Sequence, residues 1–315
     1  MASNGRGGGR RDGQWYPASW PERIRAHQRG ELTPVTPKPA ATVMLLRDDS
    51  ADGERGPRGA DGERGSRGAD GARGPRVHML RRRTSMAFAG GAYAYPGGGV
   101  DPRDEAEVRW AGPARAVWGE RLGVGPAEAQ AIVCAAVRET FEEAGVLLAG
   151  PDAVTVVADT TGAQWEADRR ALVDRELSFA DFLARRDLVL RSDLLGAWAR
   201  WITPEFEERR YDTWFFVAAL PSGQRTRNAS SEADRAVWIA PAEAAARYDR
   251  GELTMMPPTI ATLRDLTTLR RADEALARAA DRDLTPVLAR ATLDGDEIVL
   301  SWPGHDEFEK RIFRV

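Results

Sequence analysis

Three glutamates close to one another on a predicted helix are the residues most able to do chemistry in this sequence. At 100° per residue, Glu139, Glu142 and Glu143 fall at positions i, i+3 and i+4, within one narrow arc. The opposite face of the same helix carries apolar side chains that can pack on a core: Val133, Val137, Phe141 and Ala144. The segment is therefore predicted to be an amphipathic helix with a dense acidic face.

Such a face needs a compensating charge, because like charges one turn apart destabilise a helix. A hard divalent cation supplies it, since Mg²⁺ binds carboxylate oxygens and completes its shell with water and substrate phosphates. The acidic face thus indicates a metal site for phosphate chemistry. The alternative is an ordinary solvated face of clustered glutamates.

A glycine-rich segment upstream, Gly97-Gly98-Gly99-Val100-Asp101-Pro102-Arg103-Asp104-Glu105, favours the metal site. The two segments together resemble the Nudix box, Gly-x5-Glu-x7-Arg-Glu-U-x-Glu-Glu-x-Gly-U, where U is a bulky apolar residue. Gly99 and Glu105 match its first half. The second half is matched by Arg138, Glu139, Glu142, Glu143, Gly145 and Val146.

The sequence departs from this motif at two points. Thr140 stands at the first U position, where its methyl group can still pack. More importantly, 32 residues separate Glu105 from Arg138, where the motif has seven. One Nudix subgroup, which includes acyl-CoA diphosphatases of the mammalian peroxisomal type, has a long insertion at this point. The resemblance to that subgroup extends over roughly residues 40–270.

The resemblance implies an α/β fold, the Nudix α/β/α sandwich, with a mixed sheet and an inserted segment in the Nudix box. The expected organisation has five parts. These are a flexible extension at 1–40, a Nudix hydrolase domain at 41–280, a disordered Gly-Xaa-Yaa loop at 53–76, the insertion at 106–130, and a hairpin and tail at 281–315. The glycine repeat has the period of collagen, so a trimeric stalk is its alternative interpretation.

The resemblance also implies which groups bind Mg²⁺ or Mn²⁺. Glu142 and Glu143 are expected as direct ligands, and Glu139 as either a further ligand or the base. The backbone carbonyl near Gly99 is expected to reach the metal. Glu105 is expected to act indirectly, through a water molecule or by contacting the metal ligands.

Two further residues are expected to assist the reaction. Arg138 lies four residues before Glu142 and is expected to hold a carboxylate in place by a charge-assisted contact. Glu232 lies in a polar loop that supplies an additional base or ligand in many Nudix enzymes. A plain surface glutamate is the alternative for Glu232.

The implied reaction is hydrolysis of coenzyme A or an acyl-CoA to 3′,5′-ADP and a phosphopantetheine. The alternatives are ADP-ribose, a dinucleotide or a nucleoside triphosphate as substrate, or a Nudix-like ligand sensor without activity. The net charge of −3 argues against nucleic acid and membrane partners, and a single cysteine, Cys134, favours the cytoplasm. The expected partner is a small nucleotide-type substrate, with a homodimer left open.

Hydrophobic patterns predict the other elements. Strands are expected at 41–46, 77–80, 154–158, 211–220 and 236–239, and helical segments at 165–199, 241–249 and from 257 to about 280. A hairpin with strands at 287–293 and 297–302 should close the chain around Asp294-Gly295.

Overall fold

A computed structural model of the chain describes residues 19–48, 74–85, 90–227, 232–294 and 297–312. Its helices are α1 (Trp20–Gln28), α2 (Arg115–Leu122), α3 (Pro126–Ala144), α4 (Ala163–Val173), α5 (Phe179–Arg185), α6 (Pro241–Asp249), α7 (Pro257–Leu266) and α8 (Ala272–Ala279). Its strands are β1 (Lys38–Arg47), β2 (Arg76–Arg82), β3 (Tyr93–Ala94), β4 (Gly97–Gly99), β5 (Trp110–Ala111), β6 (Ala149–Gly150), β7 (Val189–Arg191), β8 (Gly196–Ile202), β9 (Tyr211–Ala219), β10 (Ala233–Ile239), β11 (Val287–Leu288), β12 (Arg290–Asp294), β13 (Glu297–Ser301) and β14 (Lys310–Ile312).

The main sheet is mixed and runs in the order β10-β2-β1-β9-β8-β11. The central pair, β1 and β9, is parallel over nine residue pairs, whereas β1 and β2 are antiparallel. The short strands β3 and β4 pair with β2 and β1 respectively, so the glycine segment lies beside the first half of β1. This pairing places Gly97–Gly99 in the sheet itself.

Alternation along β1 divides the buried side chains between the two faces of the sheet. Ala41, Val43 and Leu45 pack against α2, α3, α4 and α5, whereas Met44 and Leu46 pack against α1, α6, α7 and α8. The molecule therefore has three layers, with helices on both faces of a mixed sheet. The expected α/β/α sandwich is confirmed.

The strands on either side of the glycine repeat are neighbours, as expected. Leu46 is opposite Val77 and Arg47 is opposite Arg76 in an antiparallel pair. The strand ends that flank the repeat therefore lie side by side. Most of it, residues 53–73, lies outside the described residues, and its predicted disorder stays a prediction.

The segment at 106–130 is folded. It forms β5 and α2 and then enters α3, with Trp118 and Leu122 buried and Trp110 half-buried. Arg121 of α2 donates a 2.6 Å hydrogen bond to the carbonyl oxygen of Ala279 at the end of α8. Arg121 thus connects this segment with α8, which belongs to the helix layer on the other face of the sheet.

The prediction of a strand at 154–158 is wrong. The Asp152 carboxylate accepts hydrogen bonds from the backbone amides of Val154 and Thr155, at 2.8 and 2.6 Å. Local side-chain acceptors of this kind favour a turn over a ladder. Val154 is accordingly 84% exposed.

Two helical segments are shorter than expected. The segment at 257–280 is two helices, because Thr267 donates its hydroxyl to Arg264 O at the end of α7 and Asp48 accepts from the Ala272 amide at the start of α8. In the segment at 165–199, the helical part consists of α4 and α5 and ends at Arg185. The last residues of the segment form β7 and the start of β8. Trp198 therefore lies inside a strand.

Both ends of the described chain pack on the domain. Helix α1 buries Trp20 and Ile24, so the extension expected at 1–40 is ordered in its second half. The closing hairpin pairs Arg290–Asp294 with Glu297–Ser301, and β14 adds a third strand; Gly295 lies outside the described residues. Within the described residues, the helices are all too short or too polar to cross a membrane.

Candidate active site

Helix α3 begins and ends as its sequence predicts. Pro126 occupies its first turn, where a missing amide proton costs no hydrogen bond, and Gly145 ends it with a φ of 70°. A Cβ atom at Gly145 would lie 2.6 Å from Nε of Arg227. This position therefore requires glycine for its backbone conformation and for space.

Arg138 connects the glycine segment to the acidic face of α3. Its Nη2 atom donates to the carbonyl oxygen of Gly99 at 2.9 Å, and its Nη1 atom donates to Glu139 and Glu142 at 2.7 and 3.2 Å. The predicted contact with Glu142 is thus present, and Glu139 shares it. The carbonyl oxygen expected to reach a metal is hydrogen-bonded to this arginine.

The buried carboxylate beside Arg138 belongs to Asp104, which the sequence analysis did not select. Asp104 accepts from Nε and Nη2 of Arg138, both at 3.0 Å, and only 1% of its side chain is exposed. Burial raises the pKa of Asp104, and the Arg138 guanidinium opposes that shift. An ion pair this well enclosed fixes Arg138 in one orientation.

The side chain of the neighbouring residue, Glu105, is exposed to solvent. Its carbonyl oxygen accepts from Nε2 of buried Gln130 at 3.2 Å, so its backbone is held while its carboxylate points outward. The available signal was the run of glycines, because Gly98 precedes Asp104 by the same six residues that separate Gly99 from Glu105. The role expected of Glu105 stays a prediction.

The glycine segment also contacts the glutamates directly. The Gly97 amide donates to Oε2 of Glu143 at 2.9 Å. A Cβ atom at Gly98 would lie 2.5 Å from Oε1 of Glu139, whereas one at Gly99 would meet no atom within 4 Å. The Gly97 backbone therefore holds the Glu143 carboxylate, and glycine at position 98 leaves room for that of Glu139.

Burial of like charges sets the electrostatics of the acidic face. Burial raises the pKa of Glu139 to about 7; Arg138 opposes the shift and the Glu142 charge adds to it. Burial likewise raises the pKa of Glu142, again against Arg138. One guanidinium thus does not offset the carboxylates around it, and a further cation would stabilise their charged forms.

Whether this donor set suits a divalent cation depends on side-chain conformation as well as chemistry. Three carboxylates within one arc of α3 are the oxygen donors that Mg²⁺ and Mn²⁺ prefer. In the described part of the chain, however, no three Asp, Glu, His or Cys side chains are arranged to hold a metal ion. The donors fit in kind and position, and binding a cation requires them to turn from their present partners.

The structure places Glu232 immediately before β10, the edge strand of the main sheet. Its carboxylate is 59% exposed and lies 3.8 Å from Nη2 of Arg82 on β2. The contact belongs to the sheet edge, and the role expected of Glu232 stays a prediction.

Comparison with known proteins shows what this chain is similar to. The family model described as the NUDT19 Nudix domain matches residues 119–266, which include all of α3. The acyl-coenzyme A diphosphatase NUDT19 of Xenopus laevis is 24% identical over 73% of this chain and 70% of its own length. The human protein of that name is 28% identical over 71% and 72%, and the chicken protein 29% over 50% and 46%. A Nudix hydrolase structure from Alicyclobacillus acidocaldarius has the same fold, with a TM-score of 0.59, 24% identity, and coverage of 77% of this chain and 96% of its own.

Proposed function

We propose that this Nudix hydrolase, which resembles the peroxisomal-type acyl-CoA diphosphatases, acts on coenzyme A or an acyl-CoA. The products are then 3′,5′-ADP and phosphopantetheine or its acyl derivative. The observation that carries this proposal is that Glu139, Glu142 and Glu143 lie inside the matched domain and contact the glycine segment through Arg138 and Gly97.

The cation we propose is Mg²⁺ or Mn²⁺, in keeping with the divalent metals that Nudix hydrolases generally use. Glu142 and Glu143 would hold it, with Glu139 as a further ligand or as the base. When bound, it offsets charge on the diphosphate and lowers the pKa of bound water. Glu105 and the Gly99 carbonyl oxygen stay as additional candidates for this role, and Glu232 as a further base or ligand.

The chain's own residues position these groups. Arg138 holds Glu139 and Glu142, and Asp104 holds Arg138. The Gly97 amide holds Glu143. Because proximity and orientation can supply a large part of a rate enhancement, the loop at 97–104 would contribute to catalysis by holding these groups in place.

The proposed reaction is attack of water on one phosphorus of the diphosphate. A new P–O bond forms with the water oxygen, and the bond from that phosphorus to the bridging oxygen breaks. The other phosphate leaves with the bridging oxygen, and a glutamate of α3 takes the proton released by the water.

We further propose that the protein acts in the cytoplasm; a homodimer stays a prediction.

A substrate screen tests the proposal. Coenzyme A, acetyl-CoA, ADP-ribose, NADH and ATP are each incubated with the full chain and with Mg²⁺, Mn²⁺ or EDTA, and the products are separated by chromatography. The proposal predicts that the CoA substrates release 3′,5′-ADP and have the highest kcat/KM. No hydrolysis is expected in EDTA. Higher kcat/KM for ADP-ribose, NADH or ATP would contradict the substrate assignment, and no hydrolysis at all would favour a ligand sensor.

A further inference from the structure

Arginines surround the C-terminal end of α3, the end that carries Glu142 and Glu143. Arg169 of α4 donates through Nη1 to the carbonyl oxygen of Glu142 at 2.7 Å. The Arg227 amide donates to the carbonyl oxygen of Ala144 at 2.9 Å, and its guanidinium lies against Gly145. These arginines therefore lie at the end of the helix that carries the acidic face.

Glu166 of α4 is the carboxylate that these arginines share. It accepts from Nη2 of Arg169 at 2.7 Å and from Nε of Arg170 at 3.0 Å, and its Oε2 lies 3.4 Å from Nη1 of Arg227. Hydrogen bonds from Arg169, with the charges of that residue and the others adding, lower the pKa of Glu166 to about 2. One carboxylate thus faces three guanidinium groups.

A fourth arginine, Arg225, lies close enough to act on a second carboxylate, that of Asp159. Hydrogen bonds from Thr161, and then the charges of Arg225 and Arg227, lower the pKa of Asp159. We name Arg169, Arg170, Arg225 and Arg227 the arginine cluster. Its members lie around two carboxylates of the described structure, Glu166 and Asp159.

Arg227 also has donors that nothing in the described structure satisfies. Its Nε and Nη2 atoms are buried and have no hydrogen-bond partner among the described residues. Buried charged donors are seldom left unpaired. The favourable interaction of cations with a helix C-terminus accounts for Arg169, which bonds a terminal carbonyl. It does not account for Arg170, whose side chain is 71% exposed and whose bonding partner is Glu166.

We propose that the arginine cluster binds a phosphomonoester on the nucleotide half of the substrate. A phosphomonoester carries about −1.5 to −2 charge at pH 7, so several adjacent guanidinium groups attract it. Arginine is suited to it through paired N–H donors. The inference rests on the proposed function, because coenzyme A carries a 3′-phosphate in addition to the diphosphate that is cut. The cluster would make the enzyme prefer substrates with that third phosphate.

The test compares coenzyme A with 3′-dephospho-CoA, which lacks only that phosphate. The variants are Arg170→Gln and Arg227→Gln, and the control is Arg270→Gln, an exposed arginine beyond α7 on the opposite face of the sheet. Wild type and control should favour coenzyme A in kcat/KM. Each cluster variant should lower that ratio by about tenfold, the loss expected for one charge-assisted contact. An unchanged ratio in both variants would overturn the proposal.

A binding measurement separates failure of this inference from failure of the proposed function. Calorimetry with the full chain compares 3′,5′-ADP with 5′-AMP, which needs no turnover. Wild type should bind 3′,5′-ADP about tenfold more tightly, and the variants should lose that difference. Equal Kd values in wild type would overturn the inference even if coenzyme A is hydrolysed. If Arg227→Gln unfolds, the exposed Arg170→Gln decides the result.

Discussion

Arg138 and Asp104, 34 residues apart in the sequence, form a buried ion pair in which Arg138 donates from two nitrogen atoms at 3.0 Å. The pair joins the glycine loop to the acidic face of α3. The acidic residue that holds the loop against α3 is therefore Asp104, one residue before Glu105.

Asp104→Asn should therefore destabilise the protein and slow hydrolysis. The change leaves a buried guanidinium without its full counter-charge, which typically costs about 3–5 kcal/mol. The free energy of unfolding in urea and kcat with saturating Mg²⁺ are the measurements. The matched control is Glu105→Gln, which alters an exposed carboxylate and should change stability by no more than about 0.5 kcal/mol. A larger loss from Glu105→Gln than from Asp104→Asn would show that the loop depends on Glu105.

A methyl group at Gly98 should affect activity more than folding. In Gly98→Ala, the new Cβ atom would lie 2.5 Å from Oε1 of Glu139, so the carboxylate must move. Displacing a catalytic group by about 1 Å can lower a rate on the order of 10²-fold. Gly99→Ala is the control, since its Cβ atom would have open space. Measuring kcat and the melting temperature for both variants tests this; equal kcat values would mean that Glu139 tolerates the shift.

Stability should fall on acidification because of His78. Burial, with the Arg47 charge adding, lowers the pKa of His78 to about 4. The unfolded chain binds this proton below a pKa of about 6.5, so stability is complete above that pH and is lost as pH falls towards 4. The linkage corresponds to about 2 kcal/mol between pH 7 and pH 5.

The measurement is the free energy of unfolding at pH 7 and pH 5 for wild type and for His78→Phe, which keeps an aromatic ring beside Trp238. The variant should lose about 2 kcal/mol less than wild type over this range. His27→Gln serves as the control. A difference as large in His27→Gln, or no difference in His78→Phe, would rule out His78 as the source.

Removing the glycine repeat should leave folding and turnover unchanged. Replacing residues 53–73 by a short turn keeps Arg76 opposite Arg47, where the strands already meet. Closure entropy changes by only about 0.6 kcal/mol per doubling of loop length, so a slight gain in stability is expected. Thermal unfolding, light scattering and kcat at physiological salt are the measurements. A change from trimer to monomer on deletion would support the collagen-like stalk instead.

Local pattern predicted much of this fold, and long-range contact decided the rest. The spacing of acidic and apolar residues predicted the helix α3, and the helix expected at 241–249 matches α6. Spacing alone could not choose between Asp104 and Glu105, because a one-residue shift on a short helical turn decides which side chain faces Arg138. The strand expected at 154–158 failed because Asp152 binds the neighbouring amides.

The arginine cluster was not foreseen for a related reason. Arg169 and Arg170 lie on α4, whereas Arg225 and Arg227 follow β9, and no local pattern links the two segments. Only the folded chain brings them close to Glu166 and Asp159, beside the end of α3. Sites assembled from distant segments require tertiary structure to be seen.

The rate of 3′,5′-ADP release from coenzyme A, measured against Mg²⁺ concentration for wild type, Glu143→Gln and Glu128→Gln, tests the central claim most directly. Glu143→Gln keeps an oxygen that can accept from the Gly97 amide but removes the charge, and should lower kcat on the order of 10²–10³-fold. Its stability in chelator should be no lower than that of wild type, since one of several repelling charges is gone. Glu128→Gln, an exposed change in the first turn of the same helix, should behave as wild type. Near wild-type turnover by Glu143→Gln at saturating Mg²⁺ would contradict a metal site on α3.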